Sequence, residues 1–383
     1  MDIPNTKPYW TGKESKYIAD ALNSNQVSGD GHYTELVANF IQDNFNSGKV
    51  FMTTSGTHAL EMAAILIGLK PGDEVIMPSF TFPSTACSIM LRGAKPIFAE
   101  VLENTLNIDP EDLQRKITAK TRAVIPVHYA GIGCEMDKIM EIAEKNELYV
   151  IEDAAQAVNA KYKGKFLGTW GHFGCYSFHG TKNYTSGEGG ALLINLNNDK
   201  IIQKAEAVWQ KGTNRAQFLR GDVDKYNWVD VGSSYTPSDL LMAVLFAQLS
   251  DMQNITDKRK SVYSRYQSQL SKYEEQGRLR MLRIPEDCES NYHLFCVIFK
   301  NEITRDKVKY ELSKRCITAT IHYLPLHSSP MGRKLGYCPD ELKLTEMVSK
   351  CLLRLPLYPG LTEPEVEYVI TSFSEVIEAL EDV

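Results

Sequence analysis

The chain has 383 residues, 43% of them apolar and 23% charged, the balance of an ordinary globular protein long enough for about two domains. A net charge of −6 argues against a general nucleic-acid or membrane-surface binder, since both need a basic face, and leaves room for a small anionic ligand held by a few local cations. Eight cysteines, at 87, 134, 175, 288, 296, 316, 338 and 351, show no CxxC spacing and read as reduced thiols, not as a disulfide frame or a metal site. Met1–Pro8 lacks the apolar core of a signal peptide and no later run is long enough to cross a bilayer, so a cytoplasmic protein is expected.

Helices are expected over 14–24 and 33–46, on either side of the turn Ser28–Gly31. Short apolar runs then alternate with helical patterns. Strands are expected at 49–52, 74–77, 96–99, 123–127, 149–151, 176–178 and 191–194. Helices are expected at 57–69, 83–92, 110–116, 135–146 and 198–210. This is the βαβ rhythm of a mostly parallel sheet. Residues 212–236 read as a polar loop, and one long helix is expected from Ser238 to about Tyr273. The apolar runs 294–299 and 317–321, with helices at 304–314, 341–351 and 363–380, suggest a smaller α+β domain. The expected division is residues 1–245 and 246–383.

Chemistry concentrates in Ser177-Phe-His-Gly-Thr-Lys182-Asn-Tyr-Thr-Ser-Gly-Glu-Gly-Gly190, where an apolar strand delivers a lysine into a turn before a new strand begins. A lysine in a partly dry turn loses ammonium solvation, so its pKa falls and a neutral amine becomes available. Such an amine can form a Schiff base, and the biological aldehyde that most often uses a protein lysine is pyridoxal phosphate.

Further features fall at the C-terminal ends of expected parallel strands, where open α/β sheets bind ligands. Thr53-Thr-Ser-Gly56-Thr57 opens a helix whose free amides and hydroxyls suit a phosphate, although the same string would serve as a plain cap. Asp153 leaves a buried strand and needs a cation such as a protonated pyridine nitrogen, or else caps the next helix. Gln156, one turn on, could reach a phenolic oxygen of the same ring. Phe82 lies in an aromatic loop and can stack on a flat group, and Ser177 is a second hydroxyl for the phosphate.

In that chain order these strings resemble the DegT/StrS nucleotide-sugar aminotransferases of the fold-type-I pyridoxal-phosphate superfamily, across essentially the whole chain. The diagnostic strings are Thr54–Thr57, Pro71–Ser79, Pro126–Gly131, Glu152–Gln156 and Ser177–Asn183. The resemblance implies a large, mostly parallel sheet domain and a smaller α+β domain. It also implies Thr57 and Ser177 on the phosphate, Phe82 stacked on the ring, Asp153 at the pyridine nitrogen and Lys182 as the Schiff-base lysine. A homodimer is implied, because in this family a neighbouring subunit completes the phosphate site; Gly232–Tyr235 matches that segment, with Ser234 where many relatives have asparagine.

Within the family, Thr181–Gly190 is similar to enzymes that aminate C4 of a 4-keto-6-deoxy sugar. Lys211–Phe218 and Asp224–Tyr235 resemble the group that makes dTDP-4-amino-4,6-dideoxygalactose for bacterial surface polysaccharides, with Asn227 in place of an expected threonine. The implied substrates are L-glutamate and a dTDP-keto-sugar, used in ping-pong order. The diphosphate needs local cations, and Lys211, Arg215, Arg220 and Lys225 are candidates, Arg215 first because its fork matches a phosphate. Ile321–His327 resembles a segment that reaches the sugar, with Tyr323 and His327 as expected contacts and His322 as a weaker one. A sugar dehydratase on the same scaffold would carry histidine at 182, and a dehydrogenase would need G-x-G-x-x-G spacing that Gly187–Gly190 lacks. A non-catalytic regulatory protein on the same fold is the rival of another class.

Overall fold

The computed structural model describes residues 1–380. Two helices lead the chain, α1 (Glu14–Asn23) and α2 (His32–Phe45). A βαβ series follows: β1 (Lys49–Thr53), α3 (Gly56–Leu66), β2 (Glu74–Pro78), α4 (Pro83–Met90), β3 (Lys95–Ala99), α5 (Pro110–Arg115), β4 (Thr121–Val124), α6 (Met136–Lys145) and β5 (Tyr149–Asp153). A small hairpin, β6 (Lys161–Tyr162) and β7 (Lys165–Phe166), precedes β8 (Phe173–Ser177) and β9 (Gly190–Ile194).

Seven of these strands form one sheet in the order β1-β9-β8-β5-β4-β2-β3. β9 runs antiparallel to both of its neighbours, and the remaining pairs are parallel. Every residue of β8 and β9 is buried, as a sheet covered on both faces demands. Their continuous apolar runs are thus the sequence signature of position, not only of strand. Chain direction and strand order bring the C-terminal ends of β5 and β8 side by side, so Asp153 and the loop after Ser177 share one edge of the sheet.

After β9 come α7 (Asp199–Trp209), a short helix α8 (Arg215–Arg220) inside the expected polar loop, α9 (Asp239–Leu249) and α10 (Met252–Glu275). The single long helix expected from 238 to 273 is therefore two. α9 ends where the Ser250 hydroxyl donates back to the Phe246 carbonyl at 2.6 Å, and residues 250 and 251 break the run. Both halves carry helical periodicity, so the sequence pattern alone did not expose the break. The Asp239 carboxylate at the start of α9 accepts from the Tyr33 amide (3.0 Å) and from the amide and hydroxyl of Thr34 (2.7 and 2.8 Å), capping α2 from 205 positions away. Gly31 makes room: a Cβ there would meet that carboxylate at 2.6–2.8 Å.

The rest is β10 (Arg280–Met281), β11 (Cys288–Glu289), β12 (Phe295–Ile298), α11 (Glu302–Lys314), α12 (Pro330–Lys334), α13 (Lys343–Cys351), β13 (Leu352–Leu355) and α14 (Glu363–Ala379). β10, β12 and β13 form an antiparallel sheet, and β11 pairs with β6 of the hairpin. β13 was not expected; its residues follow α13 without a turn signal. Residues 317–321 form no strand and pair only through Ile317 with Ile3 and Thr320 with Arg354. Ile3, placed by the sequence in the first domain, is buried in the core of this second sheet beside Tyr266, Val297 and Phe373. Residues 326–345 lean back on the large sheet: the Leu326 amide donates to the Ser79 carbonyl (3.0 Å), the Tyr337 hydroxyl to the Pro96 carbonyl (2.8 Å), and the Leu344 amide to Glu100 (3.0 Å). Among the described residues no helix is long and apolar enough to cross a membrane.

Candidate active site

Alternation along β5 sends its last two carboxylates to opposite faces. Glu152 is wholly buried and accepts from His128 Nε2 (2.9 Å) and from the amides of Gly168 (2.7 Å) and Gly171 (2.6 Å). The Cys134 amide donates to His128 Nδ1 at 3.1 Å, so Nε2 carries the proton shared with Glu152. Every strong partner of Glu152 is internal, and its role is to hold the loop between β7 and β8. Asp153, on the other face, accepts from Thr85 Oγ1 (2.7 Å) and the Ala155 amide (3.2 Å). Thr85 is oriented in turn by Thr81 Oγ1 at 2.8 Å.

Lys182 sits in a loop clamped at both ends. The Phe178 amide donates to the Gly189 carbonyl, and the Gly180 amide to the Gly187 carbonyl, each at 2.8 Å. Asn183 then pins the loop to the second part of the chain, its Nδ2 donating to the Asn291 carbonyl (2.8 Å) and its Oδ1 accepting from His293 Nδ1 (2.7 Å). The Tyr184 hydroxyl bonds Thr256 Oγ1 of α10 at 2.7 Å. Between these anchors Lys182 is half-buried, and burial pulls its pKa down to about 8; the Asp153 carboxylate opposes this shift and the Arg354 guanidinium adds to it. The sequence reading missed Asn183 as a positioning residue, although it lies within the quoted motif.

The start of α3 faces the same edge. Ser55 Oγ accepts from the His58 amide (3.2 Å) and the Ser55 carbonyl from the Ala59 amide (3.2 Å), so the preceding amides of Gly56 and Thr57 have no partner within the helix. A Cβ on Gly56 would meet that of Ser177 at 2.9 Å, and one on Gly190 would meet the Ser55 carbonyl oxygen at 2.4 Å. Two glycines thus let the helix N-terminus press against the ends of β8 and β9. The Thr57 and Ser84 hydroxyls share a hydrogen bond at 2.7 Å, which ties α4 and its preceding residue Phe82 to the same place. Phe82 is 59% exposed, with its ring centroid 6.4 Å from Tyr323.

Tyr323 belongs to a strap over this edge. Its hydroxyl accepts from Gln156 Nε2 at 2.9 Å, and its ring stacks on His322 with centroids 3.7 Å apart. Gln156 also accepts from the Ala130 amide at 2.8 Å. Its oxygen and one of its two N–H donors are thus engaged by the protein, and the second N–H remains for the ring oxygen expected of it. His322 bonds the Tyr129 hydroxyl through Nδ1 (3.2 Å), and burial, with help from Arg354 and Lys182, drives its pKa down to about 2.

His327 departs from its expected role as a sugar contact. It has no exposed surface, its Nδ1 accepts from Ser79 Oγ at 2.7 Å, and its Nε2 faces the Pro339 carbonyl at 3.4 Å. Both ring nitrogens serve the packing of residues 326–339 against β2, and His322 takes the place beside Lys182. Arg215 is half-exposed and lies 4.0 Å from Asp30. Arg220 is committed elsewhere: it forks onto Glu206 at 2.8 and 3.0 Å and bonds Asp222 at 3.0 Å. Ser234 is exposed, while its neighbour Tyr235 is buried and its carbonyl accepts from the Thr54 amide at 3.0 Å, just before α3.

A phosphorylated pyridine aldehyde fits this donor set. The α3 amides with Thr57 and Ser177 could take the phosphate, Asp153 the ring nitrogen, Phe82 one ring face and Lys182 the aldehyde.

Comparison with known proteins agrees with this fit. The family model described as the DegT/DnrJ/EryC1/StrS aminotransferase family matches residues 8–374. The chain is 32% identical to the spore coat polysaccharide biosynthesis protein SpsC of Bacillus subtilis over 384 residues, covering 98% of this chain and 97% of that one. It is 29% identical to a GDP-perosamine synthase of Escherichia coli O157:H7, covering 97% and 98%. Among solved structures, a protein of Streptococcus pneumoniae assigned as a sugar aminotransferase, in its PLP form, superposes with a TM-score of 0.91 at 26% identity over 99% of each chain. The chain belongs to the DegT/DnrJ/EryC1/StrS aminotransferase family, has the fold-type-I architecture, and takes pyridoxal phosphate as its cofactor.

Proposed function

We propose that this sugar aminotransferase moves the amino group of L-glutamate to C4 of a dTDP-4-keto-6-deoxyhexose, giving dTDP-4-amino-4,6-dideoxygalactose, with Lys182 as the catalytic residue. The observation that carries the reading is a half-buried Lys182 amine, lowered to about pKa 8, facing the Asp153 carboxylate from the next strand end. The cofactor supplies an aldehyde that bonds amines and a protonated ring that withdraws electrons from the adjoining carbon.

Asp153, held by Thr85 and the Ala155 amide, keeps the proton on the ring nitrogen. Gly56, Thr57 and Ser177 hold the phosphate, and Phe82 covers one ring face. Lys182 Nζ takes the proton from the donor's α-carbon and later returns one to C4 of the sugar. The clamp at Asn183 keeps that amine within reach of both carbons. Gln156 acts on Tyr323 and places its ring at the mouth of the site.

The proposed active unit is a homodimer in which Ser234, and with it Arg215, serves the neighbouring copy. Exposed apolar side chains in the same loop support this: Trp228 is 79% exposed, Val231 63% and Leu219 61%. The proposed setting is the cytoplasm, consistent with eight free cysteines. The proposed domain boundary, 245/246, falls within α9, four residues before the break that separates it from α10.

A second reading, the same transfer onto a GDP-linked keto sugar, is favoured by the 29% identity to a GDP-perosamine synthase. Incubation with glutamate and a panel of dTDP-, UDP- and GDP-linked keto sugars separates the two. The dTDP substrate should give the highest kcat/KM, and NMR of its product should show an axial C4 amine. An equatorial amine, or preference for the GDP sugar, would replace the first reading with another.

A further inference from the structure

The two carboxylates that end β5 are treated differently by the chain. Glu152 accepts from His128 Nε2 and from two amides, at 2.9, 2.7 and 2.6 Å. Asp153 accepts from one hydroxyl at 2.7 Å and one amide at 3.2 Å, although it too is buried. The element that follows β5 is β6, not a helix, so Asp153 has no helix end to cap. A buried carboxylate with so few bonds is costly until a cation completes it.

The hydroxyl on Asp153 is the end of a short relay. Thr85 has one hydroxyl proton and gives it to Asp153 Oδ2, so the 2.8 Å bond between Thr81 and Thr85 takes its proton from Thr81. Both threonines are buried, Thr85 completely. The Thr85 backbone is fixed as well: its amide donates to the Phe82 carbonyl at 3.2 Å, and its carbonyl accepts from Ser88 Oγ at 3.0 Å. Valine has nearly the shape of threonine and would fill the same space without burying a donor. The two hydroxyls therefore serve the carboxylate and not the packing.

The same turn reaches the other parts of the site. Ser84, between Phe82 and Thr85 in the chain, bonds Thr57 at the start of α3 at 2.7 Å. One turn of backbone thus ties together a hydroxyl expected at the phosphate, the aromatic ring expected over the cofactor and the acid expected at its nitrogen.

Hydrogen bonds to an ionised carboxylate favour the charged form, and donors in series strengthen one another. We propose that Thr85, polarised by Thr81, is a positioning residue that keeps Asp153 ionised, so that the proton shared with the cofactor stays on the ring nitrogen. This rests on the reading of Asp153 above and deepens it. Asp153 supplies the charge, and Thr85 sets how weak a base that charge is. A ring that held its proton for less of the time would withdraw electrons less well in both half-reactions.

The proton is read directly by NMR of the holoenzyme reconstituted with pyridoxal phosphate carrying nitrogen-15 in its ring. Thr85→Val should move the ring-nitrogen signal from the protonated toward the unprotonated position. Thr81→Val should move it the same way by less. Thr85→Ser, which restores the hydroxyl, should leave it where the unaltered enzyme has it. In steady state, Thr85→Val should lower kcat/KM for glutamate and for the keto sugar nucleotide by the same factor, about tenfold, the size of one hydrogen bond to a charged group.

An unmoved nitrogen signal in Thr85→Val would overturn the assignment whatever the activity, since Thr85 would then only pack. So would a Thr85→Ser signal shifted as far as that of Thr85→Val. If Thr85→Val does not fold, Thr81→Val decides on the same signal, and an unmoved nitrogen there overturns the relay. Asp153→Asn tests the reading beneath: it should shift the nitrogen furthest, and a signal it leaves in place would sink the position of Asp153 at the ring itself.

Discussion

The loop carrying Lys182 and the loop between α7 and α9 are opposites. Residues 178–189 are bonded to themselves at Phe178, Gly180 and Ser186, and to distant chain at Asn183 and Tyr184. Residues 210–235 hold one six-residue helix with no buried member and leave Trp228, Val229 and Val231 in solvent. One loop is finished by its own chain. The other leaves large apolar side chains uncovered, the surface that the proposed dimer would bury. The difference teaches where this protein can afford to be incomplete. The proton-carrying amine needs a position set to a fraction of an ångström, whereas the outer contacts can be completed by a second copy.

The largest break in this comparison is Lys182→Ala, which should lower turnover by about ten-thousand-fold while circular dichroism stays unchanged, as expected for loss of the proton-transfer group. Asn183→Ala tests whether the clamp matters. Freeing the amine from the 291–293 anchor should cost about a hundredfold in kcat with little change in either KM, measured by steady-state assay. On the other loop, Val231→Asp should move the protein toward monomer in analytical ultracentrifugation and lower activity by about tenfold by charging an apolar contact. A variant that stays dimeric and fully active would show that the exposed loop is not an interface.

Charge around Lys182 gives a finer test. Uptake of pyridoxal phosphate by the apoprotein should rise with pH through a midpoint of about 8, as the amine loses its proton. Arg354 disfavours the ammonium, so Arg354→Met should move the midpoint up. Asp153 favours it, so Asp153→Asn should move the midpoint down. The smallest effect belongs to Ser234→Ala, where loss of one exposed hydroxyl should change the affinity for pyridoxal phosphate less than about threefold by equilibrium dialysis.

The grouping of the candidate site residues at one sheet edge was legible because its parts are local. Asp153, Ser177 and Lys182 each end or follow an apolar run, and strand direction alone sends them to one side of a parallel sheet. His327 was misread because its partners, Ser79 and Pro339, arrive from separate parts of the chain and nothing in its own neighbourhood announces them. The break at residues 250 and 251 was hidden because two packed helices in series share one periodicity. Arg354 carried no signal at all within the run Leu352–Leu355, whose apolar neighbours mark it only as an odd member of a buried strand.

The sequence by itself determined the alternation of strands and helices through β5, and the lysine and aspartate types that the chemistry requires. These depend on short-range periodicity and on what each side chain can do. Only the tertiary structure decided that Asn183 locks onto Asn291 and His293, that Gln156 bonds Tyr323, and that Arg354 of β13 comes close enough to depress Lys182. The physical reason is that partners separated by more than a hundred residues are chosen by how two sheets pack, and packing is a property of the whole surface, not of any string within it.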